Sequence, residues 1–192
     1  MGTFLPEGYK PPVTNSKYLK LALGSNKVRI LSSTIVGWVD WQTMQDGSRK
    51  PLRTKDKQAP INPTQPPKHF WAMVVWDYNE GGLKILEITQ ASIRSSILAL
   101  FQNDDWGDPK GYDLTITREG EKMETKYTVM PSPKSELSQE IKEKFESTKI
   151  DLNKLYVNGD PFEDDDLNAT VKAKNVQEIM NVINEEPPLP TE

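Results

Sequence analysis

Residues 69–88 read HFWAMVVWDY, NEGG, LKILEI: two apolar, β-branched and aromatic runs around a turn that ends in Gly81-Gly82. That pattern specifies an antiparallel hairpin. A helix follows it, with Ile93, Ile97, Leu100 and Phe101 at i, i+4, i+7 and i+8 and Thr89 placed to cap it. Two further runs, 112–118 and 125–130, alternate Tyr112, Leu114, Ile116 and Tyr127, Val129 with polar residues, so each has one buried and one wet face. Upstream, Val28–Trp41 is rich in β-branched and aromatic residues and reads as one long bent strand, with Gly37 marking a bulge or kink.

Between that strand and the hairpin lie residues 46–68, with five Pro, no period, and Arg49, Lys50, Arg53, Lys55, Lys57 and Lys68. A loop of this length without structure of its own is functional or disordered. The order strand, long loop, hairpin, helix, strand pair predicts a mainly β chain: an OB-fold, a five-stranded barrel with one helix between strands 3 and 4. Residues 1–27 read as an N-terminal arm, 28–134 as the body, and 135–192 as a helical and acidic region. Helical spacing recurs in that region at 136–147 and 171–183.

The formal net charge of −4 divides unevenly. Residues 1–134 hold 18 Lys and Arg against 14 Asp and Glu, a net of +4, and residues 135–192 carry −8. All five Trp lie in the basic part. A basic, aromatic body with an acidic tail points to a polyanion partner. The absence of Cys excludes disulfides, thiol catalysis and Cys-ligated zinc, and His69 alone makes no multi-His site, so no metal or cofactor is expected. The lack of Cys also favours a reducing interior over a secreted setting, and no apolar run reaches membrane-spanning length or reads as a signal peptide, so no membrane is expected.

Cations that track phosphates beside rings that stack on bases form the pairing single-stranded nucleic acid requires. The basic loop cations, together with Trp41, Phe70, Trp76 and Tyr78, are therefore the candidate site, and Arg118 and Lys126 are further phosphate candidates. Trp38, Tyr112 and Tyr127 read as core. In the strand 69–78, Phe70, Trp76 and Tyr78 share one face, and Trp71, Met73 and Val75 the other. Glu163, Asp164, Asp165, Asp166, Glu185 and Glu186 are the candidate partner-binding or autoinhibitory acids. Asp104, Asp105, Asp108 and Asp113 suggest a metal-dependent nucleic-acid enzyme as an alternative, although their spacing fits no EF-hand and the segment reads as a turn. Walker, GxSxG and HExxH patterns are missing, so the expectation is a protein that is not an enzyme.

The string ILEITQASIRSSILAL, then WGDPKGYDLTITREGEKMETKYTV ending in MPSP, resembles single-stranded DNA-binding proteins of tailed bacteriophages. WGDPxGYDLxIxRxG is the most specific part, and the likeness covers about a third of the chain. The resemblance implies an OB-fold and sequence-tolerant binding of single strands in phage DNA replication and recombination. It also implies a bacterial cytoplasm as the setting and an acidic C-terminus that meets replication partners. The zinc subdomain of the best-known branch is absent here. A protein-interaction or virion structural module with an OB-like barrel remains the other reading.

Overall fold

The computed structural model describes residues 16–162. Seven antiparallel strands make one sheet: β1 (Gly24–Ile30), β2 (Ile35–Thr43), β3 (Arg49–Thr54), β4 (Lys68–Asp77), β5 (Gly82–Ile88), β6 (Asp113–Glu119) and β7 (Lys126–Pro131). Helix α1 (Ala91–Gln102) lies between β5 and β6 in the chain, and α2 (Gln139–Ser147) follows β7. The strands run in the order β3-β2-β4-β1-β6-β7, with β5 on the other edge of β4. The architecture is mainly β and fits an OB-like fold. The sheet has seven strands, however, where five were expected, and it stays open: among the described residues no ladder joins β5 to β7.

The long bent strand expected over 28–41 is β1 and β2 laid end to end along one edge of β4. Ile30 lies opposite Val75 and Ile35 opposite Ala72, so five steps on one side answer three on the other. The two-residue excess falls at Leu31–Thr34, not at Gly37. There Leu31 N–H donates to the Val74 carbonyl at 2.9 Å, and the Ser32 hydroxyl accepts from Val74 N–H at 2.9 Å, standing in for a lost ladder acceptor. Gly37 keeps regular register with Phe70, and its missing Cβ has a different use. A Cβ there would collide with the Thr54 carbonyl oxygen and lie 3.2 Å from the Tyr156 ring.

Residues 46–68, expected to lack structure, include β3. The turn Met44–Ser48 closes on a 2.8 Å bond from Met44 N–H to Ser48 O, with Gly47 at φ +79°. Pro51 sits in β3, which pairs on one side only, with β2, and an edge strand is where a sheet tolerates a residue without an N–H. Helix α1 starts one residue later than the Thr89 cap implies, and Gln90 occupies the cap position without a side-chain bond.

β4 is buried from Ala72 to Asp77 without a break, so both its faces are covered. On the odd-numbered face Met73 and Val75 join Val28, Ile30, Leu86, Ile88, Tyr112, Leu114 and Ile116 beneath Ile93 and Ile97 of α1. On the even-numbered face Phe70, Ala72, Val74 and Ile85 pack under Leu152 and Leu155, while Trp76 packs with Leu31 and Ile141 of α2. The chain after the last strand thus supplies a wall of the core. Tyr112 is a core residue as expected, and Tyr127 packs against the same cluster.

Ser32→Ala leaves the buried Val74 N–H without an acceptor, so urea unfolding is expected to show a loss of about 1–3 kcal/mol. Ser32→Thr, which keeps the hydroxyl, should retain most of that stability; equal stability of Ser32→Ala and the native chain would contradict this role.

Candidate nucleic-acid interface

β2 and β3 run past the start of β4 as a two-stranded arm, with Trp41 opposite Pro51, Gln42 opposite Lys50 and Thr43 opposite Arg49. Strand periodicity sends Val39 inward at the base of the arm and leaves Trp41 outside on the same face, 43% exposed. The Arg49 guanidinium lies 5.7 Å from the Trp41 ring centre, within cation–π range. Shallow depressions flank the ring: one is edged by Lys20, Lys50, Pro51 and Arg53, the other by Thr43, Arg49, Ile61 and Gln65.

The return segment 55–67 is tied down onto the arm. The buried Asp40 carboxylate accepts from the Trp41 N–H at 2.7 Å and from the Ile61 N–H at 2.8 Å, and Arg49 donates to Gln65 Oε1 at 3.1 Å. Lys57 Nζ then lies 5.0 Å above the Trp38 ring, and Lys55 Nζ 5.5 Å above Tyr156. Trp38, read from sequence as core, is half-buried and meets His69 edge-on at 5.2 Å. Arg94 of α1 donates to His69 Nδ1 from the other side. Burial, and then the Arg94 charge, hold this imidazole below its usual pKa, so at neutral pH it is an uncharged acceptor.

The expected site residues separate. Arg49, Lys50, Lys55, Lys57 and Lys68 are exposed around the arm and, among the described residues, none has a carboxylate partner. Arg53 points inward and is held by Glu87 at 2.7 Å, which neutralises it. Phe70 and Trp76 are corrected to core: they are 0% and 8% exposed, because the 3₁₀ turn Leu152–Val157 and α2 cover their face. Tyr78 is exposed but stands at the far end of β4 from the arm. Arg118 donates to the Leu21 carbonyl, next to Lys20, and Lys126 begins β7 on the surface. The six acidic residues proposed for partners, Glu163, Asp164, Asp165, Asp166, Glu185 and Glu186, and the stretch 171–183, lie outside the described residues.

Two cations escaped the sequence reading. Arg94 is the sole charge in α1, and that isolation was its signal. Lys20 joins the site only through the path of residues 16–23, which pairs with Ile85 and was not legible from composition.

The acidic cluster has other duties. Asp108 caps the turn Pro109–Gly111 by accepting from the Lys110 N–H. Asp113 contacts Lys27 at 3.0 Å, Arg29 at 3.1 Å and the Tyr78 hydroxyl at 3.0 Å. Among the described residues no three His, Cys, Asp or Glu come together as a metal site, and none of the described helices is long and apolar enough to cross a membrane.

Burial raises the Asp113 pKa, but hydrogen bonds from Lys27, Arg29 and Tyr78 outweigh it and leave the carboxyl below its ordinary value. Tyr78 is pushed up to about 12 by the partial burial of its side chain and by its bond to Asp113. Each shift has a sign for stability. The Asp113 contribution is present above the ordinary carboxyl range and lost as pH falls through its lowered value. The Tyr78 contribution is present below its ordinary value of 10.0 and lost as pH rises towards about 12. Burial raises Tyr18, Tyr112 and Tyr156 as well, so an alkaline ultraviolet titration with Tyr78→Phe as the reference isolates the Tyr78 phenol, which should move to lower pH in Asp113→Asn. An unmoved Tyr78 phenol would refute the pairing.

Among known proteins, the chain is similar to a "Probable ssDNA-binding protein" of Escherichia phage T5, 25% identical over 140 residues that cover 59% of this chain and 54% of that protein. The chain thus spans about half the length of the curated relative it matches. No family model matches the chain, and no solved structure does.

Proposed function

We propose that this protein binds single-stranded DNA, and that the β2–β3 arm is its main contact. One observation carries the reading: on an arm that projects beyond the core, Arg49 lies over an exposed Trp41 with Lys50 beside it, and the same arm and its return segment present Lys55, Lys57 and Lys68, none of the five with a carboxylate partner among the described residues. The printed name of the phage T5 relative supports the same ligand. Phosphates draw Arg49, Lys50, Lys55, Lys57 and Lys68 off their present positions, and a base takes the Trp41 face that Arg49 now covers. Binding is sequence-tolerant because every base offers a π-face. The body acts as an opened OB-like scaffold, and no catalytic step is required of it. The acidic residues Glu163–Asp166, Glu185 and Glu186 serve as a contact for replication or recombination proteins, or compete with DNA for the arm.

Titration with oligo-dT and with duplex, followed by Trp fluorescence at several salt concentrations, tests this. The expected result is quenching by the single strand, weak duplex binding, and a log–log salt slope of about −3 to −4 if each of the five cations meets a phosphate. Trp41→Ala should weaken binding by about 1–3 kcal/mol. Lys50→Ala should flatten the slope by roughly 0.7. Equal affinity for duplex, or a slope near zero, would sink the reading.

A chain ending at Phe162 keeps the wall of the core and removes the acidic run. It should bind oligo-dT more tightly than the full chain at low salt. Unchanged affinity would remove competition from the tail's roles and leave it only partner contact.

A further inference from the structure

A cleft on the odd-numbered face of β4 has no part in the reading above. It lies between α1 and the two-residue excess at Leu31–Thr34, with a volume of about 380 Å³, within the roughly 300–1,000 Å³ of ligand pockets. Val36, Trp71, Leu98 and Phe101 form its apolar wall, with Ser33 and the Lys110–Asp108 ion pair at its edge. The helix does not need these side chains for its core contact, since Ile93 and Ile97 already make it. Phe101 is 57% exposed, and Leu98 and Val36 are exposed beside it.

The cleft is continuous with the arm. Val36 lies opposite Trp71, and Trp38 opposite His69, so the four side chains share one strand face. Arg94, Leu98 and Phe101, at i, i+4 and i+7, make the facing stripe of α1. Lys57 stands over Trp38 where this corridor opens.

We propose that the cleft receives an unpaired base of the same single strand, led in from the arm past Lys57, Trp38 and Arg94. This rests on the arm being a single-strand site. Charge selects a nucleic acid over an apolar peptide. Lys57 and Arg94 have no carboxylate partner among the described residues, and Arg94 Nε is buried without a hydrogen-bond partner. A nucleotide offers phosphate charge and base acceptors to these groups and a flat ring to Trp71 and Phe101.

The test uses the full chain, labelled oligo-dT of two lengths, and fluorescence anisotropy. Phe101 is exposed, so Phe101→Ala leaves the core intact. It should weaken binding of the longer oligonucleotide about fivefold or more and leave the shorter one nearly unchanged, whereas Trp41→Ala should weaken both. If Trp41→Ala weakens binding and Phe101→Ala does not, the cleft subsite is overturned and the arm stands. If neither variant changes affinity, both proposals fall. A sedimentation shift in Phe101→Ala with unchanged oligo-dT affinity would assign the cleft to a second copy of the chain and overturn the subsite.

Discussion

The structure depends on one strand being buried on both faces. β4 pairs with β5 along one edge and with β2 and then β1 along the other, so its backbone bonds are made inside the sheet. Its side chains need two walls. Helix α1 and the β6–β7 pair supply one. The other comes from Ile141, Leu152 and Leu155, far away in sequence. Gly37 belongs to the same requirement, because only a residue without a Cβ lets Thr54 and Tyr156 close over β2 at that point.

This burial decides where a ligand can sit. The face of the hairpin that carries Phe70 and Trp76 has rings suited to stacking, but they are interior rings. Uncovering Phe70, Val74, Trp76, Ile141, Leu152 and Leu155 would forfeit on the order of 10 kcal/mol of apolar burial. Two stacked bases would return only about 1–3 kcal/mol each. Among the described residues, the rings left exposed are Trp41 on the arm, Phe101 on α1 and Tyr78 just past the far end of β4. The same sorting applies to charge: Arg53 and Lys84 lie inside and are paired with Glu87 and Glu80, while the arm cations are left to solvent.

Much of the fold is legible in the sequence. Gly81-Gly82 between two apolar runs gives the hairpin, the spacing of Ile93 and Ile97 gives the helix, and alternation gives β6 and β7. The arm was concealed by Pro51, which argues against a strand unless that strand is an edge. Asp46-Gly47 was the hairpin signal within the same segment. The division of the rings was not legible, because period-two alternation names two faces without saying that both are covered. Nothing near Phe70 or Trp76 announces that residues 137–162 come back to bury them. The arm cations were legible as a cluster, but Arg53 reads like its neighbours until Glu87 is placed beside it.

The central claim is that a single strand binds to the arm and leaves the covered face of β4 closed. Hydrogen–deuterium exchange with and without oligo-dT tests it most directly. The account predicts new protection in peptides spanning residues 38–57, with exchange across 137–162 unchanged. Faster exchange in 137–162 on binding, together with unchanged exchange in the arm, would contradict it and place the strand on the face that Phe70 and Trp76 share.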